Sequence, residues 1–582
     1  MRAMNEFRVG VDIGGTFTDI VFLGDHGRVI IKKISSSVEN YANAIVTGLA
    51  DTFTQQGISP RQITEILHAT TVASNAILEL KGARVGLIGT RGFRDILEIR
   101  NLRMPSLYDL SWNKPPPLVE RYLRRVVDER INAAGEIVKA LDLEDVRTQV
   151  DALLDEGVDA IAVCLINSYA NPVHERMIAS VIQDRAPRLP HCISFDVLPE
   201  IKEYERTSTT VVNTYVLPIV ERYLISLRES LDENALAGAL LIMQSNGGLT
   251  PAEEAVRKPV NIVESGPAAG VVGAHAITTL LGEPNVISFD MGGTTAKASL
   301  IEGGQFTRSR EYSVGGGIMV GSRLLTGAGY LLGVPAIDLA EVGAGGGSIV
   351  YRDAGGSLQV GPRSAGATPG PVCYDMGGRE PTVTDANMVL GYLNPQFLCG
   401  GDVSVNADLS TQVFEARVAQ PMGLALEHAA YAARQVTISN MIRAIRAVSS
   451  ERGRDPREYV LFAFGGNGAL FAAGMAQELN MRRILIPPAA GLFSAFGLLY
   501  AEVEHHYSRT LRILLPNAKP ESIESVCQEL EGAARRQLAT DGFEEKQMVF
   551  QRSASLHYQG QRYELELMMG PDAIDSRVLE DL

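Results

Sequence analysis

The sequence carries one short pattern twice, and that repeat limits what the chain can fold into. Residues 9–23, VGVDIGGTFTDIVFL, fall on residues 287–301, ISFDMGGTTAKASLI, when the chain is shifted by 278 positions. Each copy reads as an apolar strand, an aspartate, one apolar residue, Gly-Gly-Thr and a second strand. One D-x-G-G-T arises easily by chance. Two copies, each set between apolar strands, point to an internal duplication with a cleft between its halves. A Gly-Gly turn exposes backbone N–H groups with no Cβ in the way and forms a nest for an anion, to which the threonine hydroxyl adds a donor. The aspartate at the strand end is poorly suited to touch phosphate, but it can hold the water shell of a divalent cation, usually Mg²⁺. Two such loops face to face would clamp the β- and γ-phosphates of a nucleotide. For either copy alone, a plain hairpin whose glycines serve only the turn is the alternative.

Around the repeats, strand patterns alternate with helical ones, which sets the α/β class. Val85 to Ile88 and Ala160 to Ile166 read as buried strands. Ile45 to Phe53, Leu143 to Leu154, Pro172 to Ile182 and Thr209 to Leu231 read as helices, and so does Ile63 to Leu80. Ala239 to Met243 is a strand ending in Ser245-Asn-Gly-Gly248. Glu427 to Val448 is an amphipathic helix with Tyr431, Ile438, Ile442, Ile445 and Val448 on one face. Val460 to Phe464 is a strand opening onto Gly465-Gly-Asn-Gly468, followed by a helix over Ala469 to Glu478. Glycines there would let the backbone lie flat against a purine or ribose. The stretch 315–378 is rich in Gly and Pro, which implies long ordered loops of the kind that build sites. A chain of 582 residues is too long for one core. Three units are expected: 6–198 with the first Gly-Gly-Thr loop, 199–500 with the second loop and the Gly465–Gly468 turn, and a short mixed segment at 501–582.

Composition closes other doors. Lys and Arg number 53 against 68 Asp and Glu, a net charge of −15 with no long basic run. Nucleic acid and anionic membrane therefore lack the clustered positive charge they need as partners. No window of 18 uninterrupted apolar residues occurs, and MRAMNEFRVGVDIGG has no apolar stretch of signal-peptide length. The five cysteines, Cys164, Cys192, Cys373, Cys399 and Cys527, are scattered without a C-x-x-C pair, as in a cytoplasmic protein with free thiols. There is no Gly-Lys dipeptide for a Walker A loop and no intact G-x-G-x-x-G. Ser364 is not a nucleophile elbow, because position 362 is proline.

The Asp12 loop, the Asp290 loop and the Gly465–Gly468 turn, in this order, resemble the phosphate-1, phosphate-2 and adenosine motifs of the actin, Hsp70 and sugar-kinase superfamily. Further motifs narrow the resemblance. His68-Ala-Thr-Thr-Val-Ala-Ser-Asn75, Tyr204-Glu-Arg-Thr207, Met243-Gln-Ser-Asn-Gly-Gly248, Glu264-Ser-Gly-Pro-Ala-Ala-Gly270, Gly343-Ala-Gly-Gly-Gly-Ser348, the 361–374 loop and Pro381-Thr-Val-Thr-Asp385 are similar to the hydantoinase A/oxoprolinase family along nearly the whole chain. The resemblance implies an α/β fold of duplicated actin-like (ribonuclease H-like) ATPase domains flanking a nucleotide cleft, with a short C-terminal α+β segment. It also implies ATP and Mg²⁺ as cofactors, a small cyclic amide as substrate and a hydantoinase B-type second subunit as partner. Family members usually continue through a larger C-terminal region, whereas this chain stops at Leu582, soon after Gly560-Gln-Arg-Tyr-Glu-Leu, so either a truncated form or an incomplete final domain is expected.

The candidate site follows. Asp12 and Asp290 are candidate catalytic residues and metal ligands. Gly14, Gly15, Thr16 and Thr18 from the first loop, and Gly292, Gly293, Thr294 and Thr295 from the second, are candidate phosphate ligands, although threonine in a strand pair is also a simple β-former. Lys297 can reach a phosphate, or lie on the surface. Glu264 and Asn246 sit in loops that the resemblance places near nucleotide, with turn capping as the other role open to them. Gly465, Gly466, Asn467 and Gly468 form the adenosine side. Asp19 is a second carboxylate behind Asp12 or a solvated strand residue. His68 is a candidate general acid–base or substrate contact, with a hydrogen-bonded structural histidine as the alternative. Glu502, Glu504, His505 and His506 look like a metal cluster on paper, but adjacent histidines on a strand face opposite ways, so a solvated strand is the reading. The expected activity is that of the ATP-binding subunit of an enzyme that opens a hydantoin, 5-oxoproline or lactam by phosphorylating the amide oxygen. The ATP-using subunit of an acetone- or acetophenone-type carboxylase, an actin- or Hsp70-like nucleotide-switched binding protein and an autonomous sugar kinase are the alternatives.

Overall fold

The computed structural model describes residues 6–14, 17–35, 41–101, 112–315, 329–398, 401, 403–561, 564–570 and 574. Each repeat opens a sheet, and the two sheets share one design. In the first, β1 (Phe7–Ile13) pairs antiparallel with β2 (Phe17–Gly24), β2 pairs antiparallel with β3 (Arg28–Ser35), and β1 runs parallel to β4 (Ile63–Ala69). Then β5 (Ala239–Met243) lies parallel to β4, and β6 (Leu249–Pro251) closes that side antiparallel to β5. In the second sheet, β7 (Val286–Met291) pairs antiparallel with β8 (Ala296–Glu302), which pairs antiparallel with both β9 (Gln305–Phe306) and β10 (Ala340–Val342). On its other side β7 runs parallel to β11 (Val460–Phe464), and β11 to β12 (Ile484–Leu485). The shift of 278 positions thus lays β1 on β7 and β2 on β8, with parallel strands continuing from the same side.

One expectation is corrected here. Residues 63–80 are not one helix: β4 comes first, and a helix covers only Val72–Leu78. Ile63, Ile66 and Leu67 have helical spacing, but a strand held between β1 and β5 is covered on both faces, so its apolar run is nearly continuous and hides the two-residue period. The first sheet takes β5 and β6 from beyond residue 199. The chain between β4 and β5 holds a separate parallel sheet in the order His191–Ile193, Ala160–Cys164, Val85–Thr90, Arg124–Val127.

Helix α1 (Glu203–Glu233) buries Val211, Val212, Tyr215, Val220, Leu224 and Leu227 in the large core beneath the first and the inserted sheets. Two helices lie between the main sheets: α2 (Ser265–Leu280) and, later in the chain, a short one at Phe493–Leu498. They pack on each other, the short one against β1 and α2 against β7. Behind the second sheet, α3 (Leu426–Val448) buries Ile438, Ile442, Ile445 and Val448 as its spacing predicts. Tyr431, assigned to the same face, is instead half exposed, and Ala429, Ala430 and Ala433 fill that end. Helix α4 (Gly465–Glu478) follows β11 directly, and the short interface helix, Phe493–Leu498, is α5. The C-terminal segment is α+β: α6 (Pro520–Thr540), none of whose residues is fully buried, and a hairpin of Arg552–Leu556 with Leu565–Met569. Among the described residues no helix is long and apolar enough to cross a membrane.

Candidate active site

The two Gly-Gly-Thr turns are closed by the same hydrogen bond. The Gly14 N–H donates to the Phe17 carbonyl at 2.9 Å and the Gly292 N–H to the Thr295 carbonyl at 3.1 Å, positions that the repeat superimposes. Gly15 and Thr16 lie outside the described residues. Gly293 and Thr294 are exposed at the tip of the second turn, as a phosphate nest requires. Thr18, expected among the phosphate donors, is fully buried opposite Ile13 and Ile34, so it belongs to the sheet.

The second turn is braced from behind. Gly346 and Gly347 donate their N–H groups to the carbonyls of Gly292 (3.1 Å) and Gly293 (2.6 Å). Asn467 Nδ2 donates to the same Gly292 carbonyl at 3.2 Å. The glycine-rich stretch therefore serves this turn through its backbone, and Asn467 holds the turn. Helix α4 begins four residues earlier than the pattern suggested, so Gly465–Gly468 form its first turn. Gly465 has φ +81°, and a Cβ there would overlap the Asp290 carboxylate. Only glycine meets both demands. A matching approach occurs at the first turn of α2, where a Cβ on Gly266 would stand 3.1 Å from Asp12 Oδ1. Each aspartate thus ends the first strand of its sheet and faces the start of a helix, where the dipole favours negative charge.

Cross-strand register sets the electrostatics. Asp12 stands opposite Asp19, and Asp19 opposite Lys33; Asp290 stands opposite Lys297, and Lys297 opposite Glu341. Lys33 Nζ binds Asp19 Oδ1 at 2.5 Å and donates to the Gly491 carbonyl at 3.0 Å. Lys297 Nζ binds Glu264 Oε2 at 3.0 Å, with Glu341 Oε1 at 3.7 Å. Burial, and then the carboxylates of Asp19 and Asp290, push Asp12 up to about 8. Burial pushes Asp290 up to about 6 against the pull of Lys297. Burial alone would lower the Lys297 amine, but Glu264 and Glu341 together hold it above its ordinary value. A divalent cation would relieve the repulsion at Asp12. Among the described residues no three His, Cys, Asp or Glu side chains are grouped to cage a metal. The two aspartates suit Mg²⁺, which keeps most of its waters and shares phosphate oxygens.

Other expected residues lie elsewhere. His68 is fully buried; its Nδ1 donates to the Val11 carbonyl at 3.0 Å and its Nε2 accepts from the Tyr223 hydroxyl at 2.7 Å. Burial drives it down to about 4, so the ring is neutral. Both nitrogens are used in holding β4 to β1 and α1, the arrangement of the hydrogen-bonded structural alternative. Asn246 caps a turn, accepting from the Gly248 N–H at 2.8 Å. His506 pairs with Glu504 at 2.9 Å and His505 with Asp541 at 2.6 Å, in separate directions. Ser364 accepts from the Gly366 N–H at 3.2 Å. Lys33 and Glu341 escaped the sequence reading. Only knowledge of which strands lie side by side could have found them.

The chain is mixed α/β, with two sheets of one strand order and matched Gly-Gly turns that each follow a strand-end aspartate. More narrowly, the chain belongs to the hydantoinase/oxoprolinase family: the N-terminal-region model of that family matches residues 8–186 and the hydantoinase/oxoprolinase model residues 206–507. The caprolactamase subunit alpha of Pseudomonas jessenii is 35% identical over 586 residues, covering 99% of this chain and 82% of that protein. The acetophenone carboxylase gamma subunit of Aromatoleum aromaticum is 33% identical over 599 residues, covering 98% and 79%. The crystal structure of the ATP-dependent caprolactamase from Pseudomonas jessenii matches with a TM-score of 0.84 at 34% identity, over 99% of this chain and 83% of that one.

Proposed function

We propose that this chain is the ATP-binding subunit of a hydrolase that opens a small cyclic amide, with two actin-like halves closing on the nucleotide. The observation that carries the reading is the pair of matched turns, closed by the same hydrogen bond and each preceded by a half-buried aspartate raised in pKa by its surroundings. Amide resonance makes a lactam carbonyl a poor electrophile. Transfer of the γ-phosphoryl from ATP to the amide oxygen releases ADP and ends the amide resonance, so that water can add to the carbon; the adduct expels the ring nitrogen as an amine, and hydrolysis of the acyl phosphate left behind gives carboxylate and phosphate. The chain's part is positioning and charge stabilisation. Gly293 and Thr294 offer donors to phosphate oxygens, Lys297 offers a cation, and the open first turn of α4 at Gly466 borders the nucleoside side. Asp12 and Asp290 would hold Mg²⁺, which when bound neutralises charge on the polyphosphate.

The subunit status of the caprolactamase and carboxylase relatives supports a second polypeptide, of hydantoinase B type, for the hydrolytic half. The test is to co-express this chain with a B-type partner and follow ATP turnover with a panel of lactams, hydantoins and 5-oxoproline. Stimulation by a cyclic amide with stoichiometric ring opening is the expected result; turnover indifferent to all of them would sink the reading. The likeness to a carboxylase subunit favours a second reading, activation of a ketone or bicarbonate. A ketone-plus-bicarbonate arm in the same assay decides between the two.

A further inference from the structure

Each aspartate begins a row of three charged side chains carried across neighbouring strands. In the first sheet the row is Asp12, Asp19, Lys33; in the second it is Asp290, Lys297, Glu341. Directly opposed residues on adjacent antiparallel strands point to the same face and interact, so each row forms one charged strip beside the cleft. The rows carry equal net charge but place the cation differently. Lys33 stands at the outer end, tied to Asp19 and to the Gly491 carbonyl. Lys297 stands in the middle, directly opposite Asp290, and an ion pair between them is the outcome that register favours. The ammonium instead reaches Glu264 at 3.0 Å and Glu341 at 3.7 Å.

Glu264 belongs to neither row. It precedes α2, in a tripeptide that touches both halves of the molecule. Ser265 Oγ accepts from the Thr70 N–H at 3.0 Å and donates to the Thr70 carbonyl at 2.9 Å, at the end of β4 in the first sheet. Gly266 faces Asp12. The carboxylate therefore grips a lysine of the second sheet from a point anchored on the first.

We propose that Glu264 is a positioning residue that keeps the Lys297 ammonium off Asp290 and presents it to the transferring phosphoryl group, which then replaces Glu264 as its partner. The inference rests on the nucleotide reading above and deepens it: the γ-phosphoryl docks on the second turn, and Asp290 keeps its carboxylate for the metal side. Lys297 exchanges one anionic oxygen for another, and no covalent bond is made or broken. With Glu264 neutral, Lys297 falls to Asp290 and both groups are withdrawn from the nucleotide.

Calorimetry of Mg·ADP binding to the full chain, with and without beryllium fluoride as the γ-phosphoryl mimic, tests this without turnover. Wild type should gain about tenfold or more in affinity from the fluoride, the worth of a charge-assisted contact. Lys297→Met should lose that gain. Glu264→Gln should lose most of it although the lysine is present, and Glu264→Asp should restore part. A Glu264→Gln protein with the full gain overturns the proposal, and so does Lys297→Met with the gain intact. Thermal denaturation of each variant identifies misfolding; if Glu264→Gln does not fold, the Lys297→Met result and the partial recovery in Glu264→Asp decide. Failure of wild type to bind ADP in either form would fell the nucleotide reading itself. ADP binding with no gain from fluoride would leave that reading standing and overturn this one.

Discussion

Asp12 faces two other carboxylates, and its proton affinity records the crowding. Its folded value of about 8 lies above the ordinary 3.8, so the folded chain holds this proton more tightly than the unfolded one. The cost to folding is absent below about pH 4 and grows as pH rises toward 8. Asp12→Asn should therefore flatten the loss of stability with pH, measured by urea denaturation without nucleotide at pH 5 and pH 8. Identical slopes in variant and wild type would contradict the burial and charge argument. The same variant should cost the assembled enzyme roughly 100-fold or more in ATP turnover. His68 runs the other way. Its folded value of about 4 lies below the ordinary 6.5, so its contribution is complete above pH 6.5 and is lost as pH falls toward 4. His68→Gln should destabilise the chain by about 1–3 kcal/mol at pH 7 through lost hydrogen bonds. Its turnover per folded molecule should stay within the wild-type order of magnitude, whereas a general acid–base would cost roughly 10²–10⁴. The turns that follow Asp12 and Asp290 were legible as turns because their chemistry is local. The role of His68 was not, because its partners are Val11, 57 residues away in sequence, and Tyr223, 155 away.

Among the elements, the crossing of α2 and α5 is a tight constraint. A Cβ on Gly497 would overlap the Ala269 carbonyl, and one on Gly273 would stand 2.7 Å from Gly497 Cα. Backbone cannot yield as a side-chain tip can, so Gly497→Ala should cost about 1–3 kcal/mol by overpacking, read by chemical denaturation. Gly532→Ala is the matched control. That glycine lies inside the exposed helix α6 and its nearest neighbour is the flexible Arg536 guanidinium at 3.4 Å. The same change there should be neutral or stabilise by up to about 1 kcal/mol. Equal effects at the two sites would refute the crossing argument. Element type was readable wherever periodicity was strong, as in α3, or where a strand met a glycine turn, as in β1, β7 and β11. It failed at β4, whose two buried faces erase the alternation, and at the start of α4, where glycines that read as a loop form the first helical turn.

At the scale of the whole molecule, the two sheets meet through α2 and α5 and through the tripeptide Glu264-Ser265-Gly266. Each sheet carries one of the Gly-Gly turns, so a nucleotide gripped by both, as proposed above, should draw the halves together. Small-angle scattering with Mg²⁺ and a non-hydrolysable ATP analogue should show a smaller radius of gyration than without them. Superimposable profiles at saturating analogue would count against closure.

The sequence by itself determined the α/β class, the duplicated Asp-x-Gly-Gly-Thr turns and the family, because a turn flanked by apolar strands is specified by residues next to one another. Tertiary structure alone decided which charges meet. The repeat puts Asp19 and Lys297 at equivalent positions, yet one crowds an aspartate and the other is drawn away from one by Glu264. That difference depends on which strands and helix starts are brought alongside, and no local pattern encodes it. The insertion of a parallel sheet between β4 and β5 was hidden for the same reason: a strand carries the signal of its own burial, but not the identity of the neighbour that buries it.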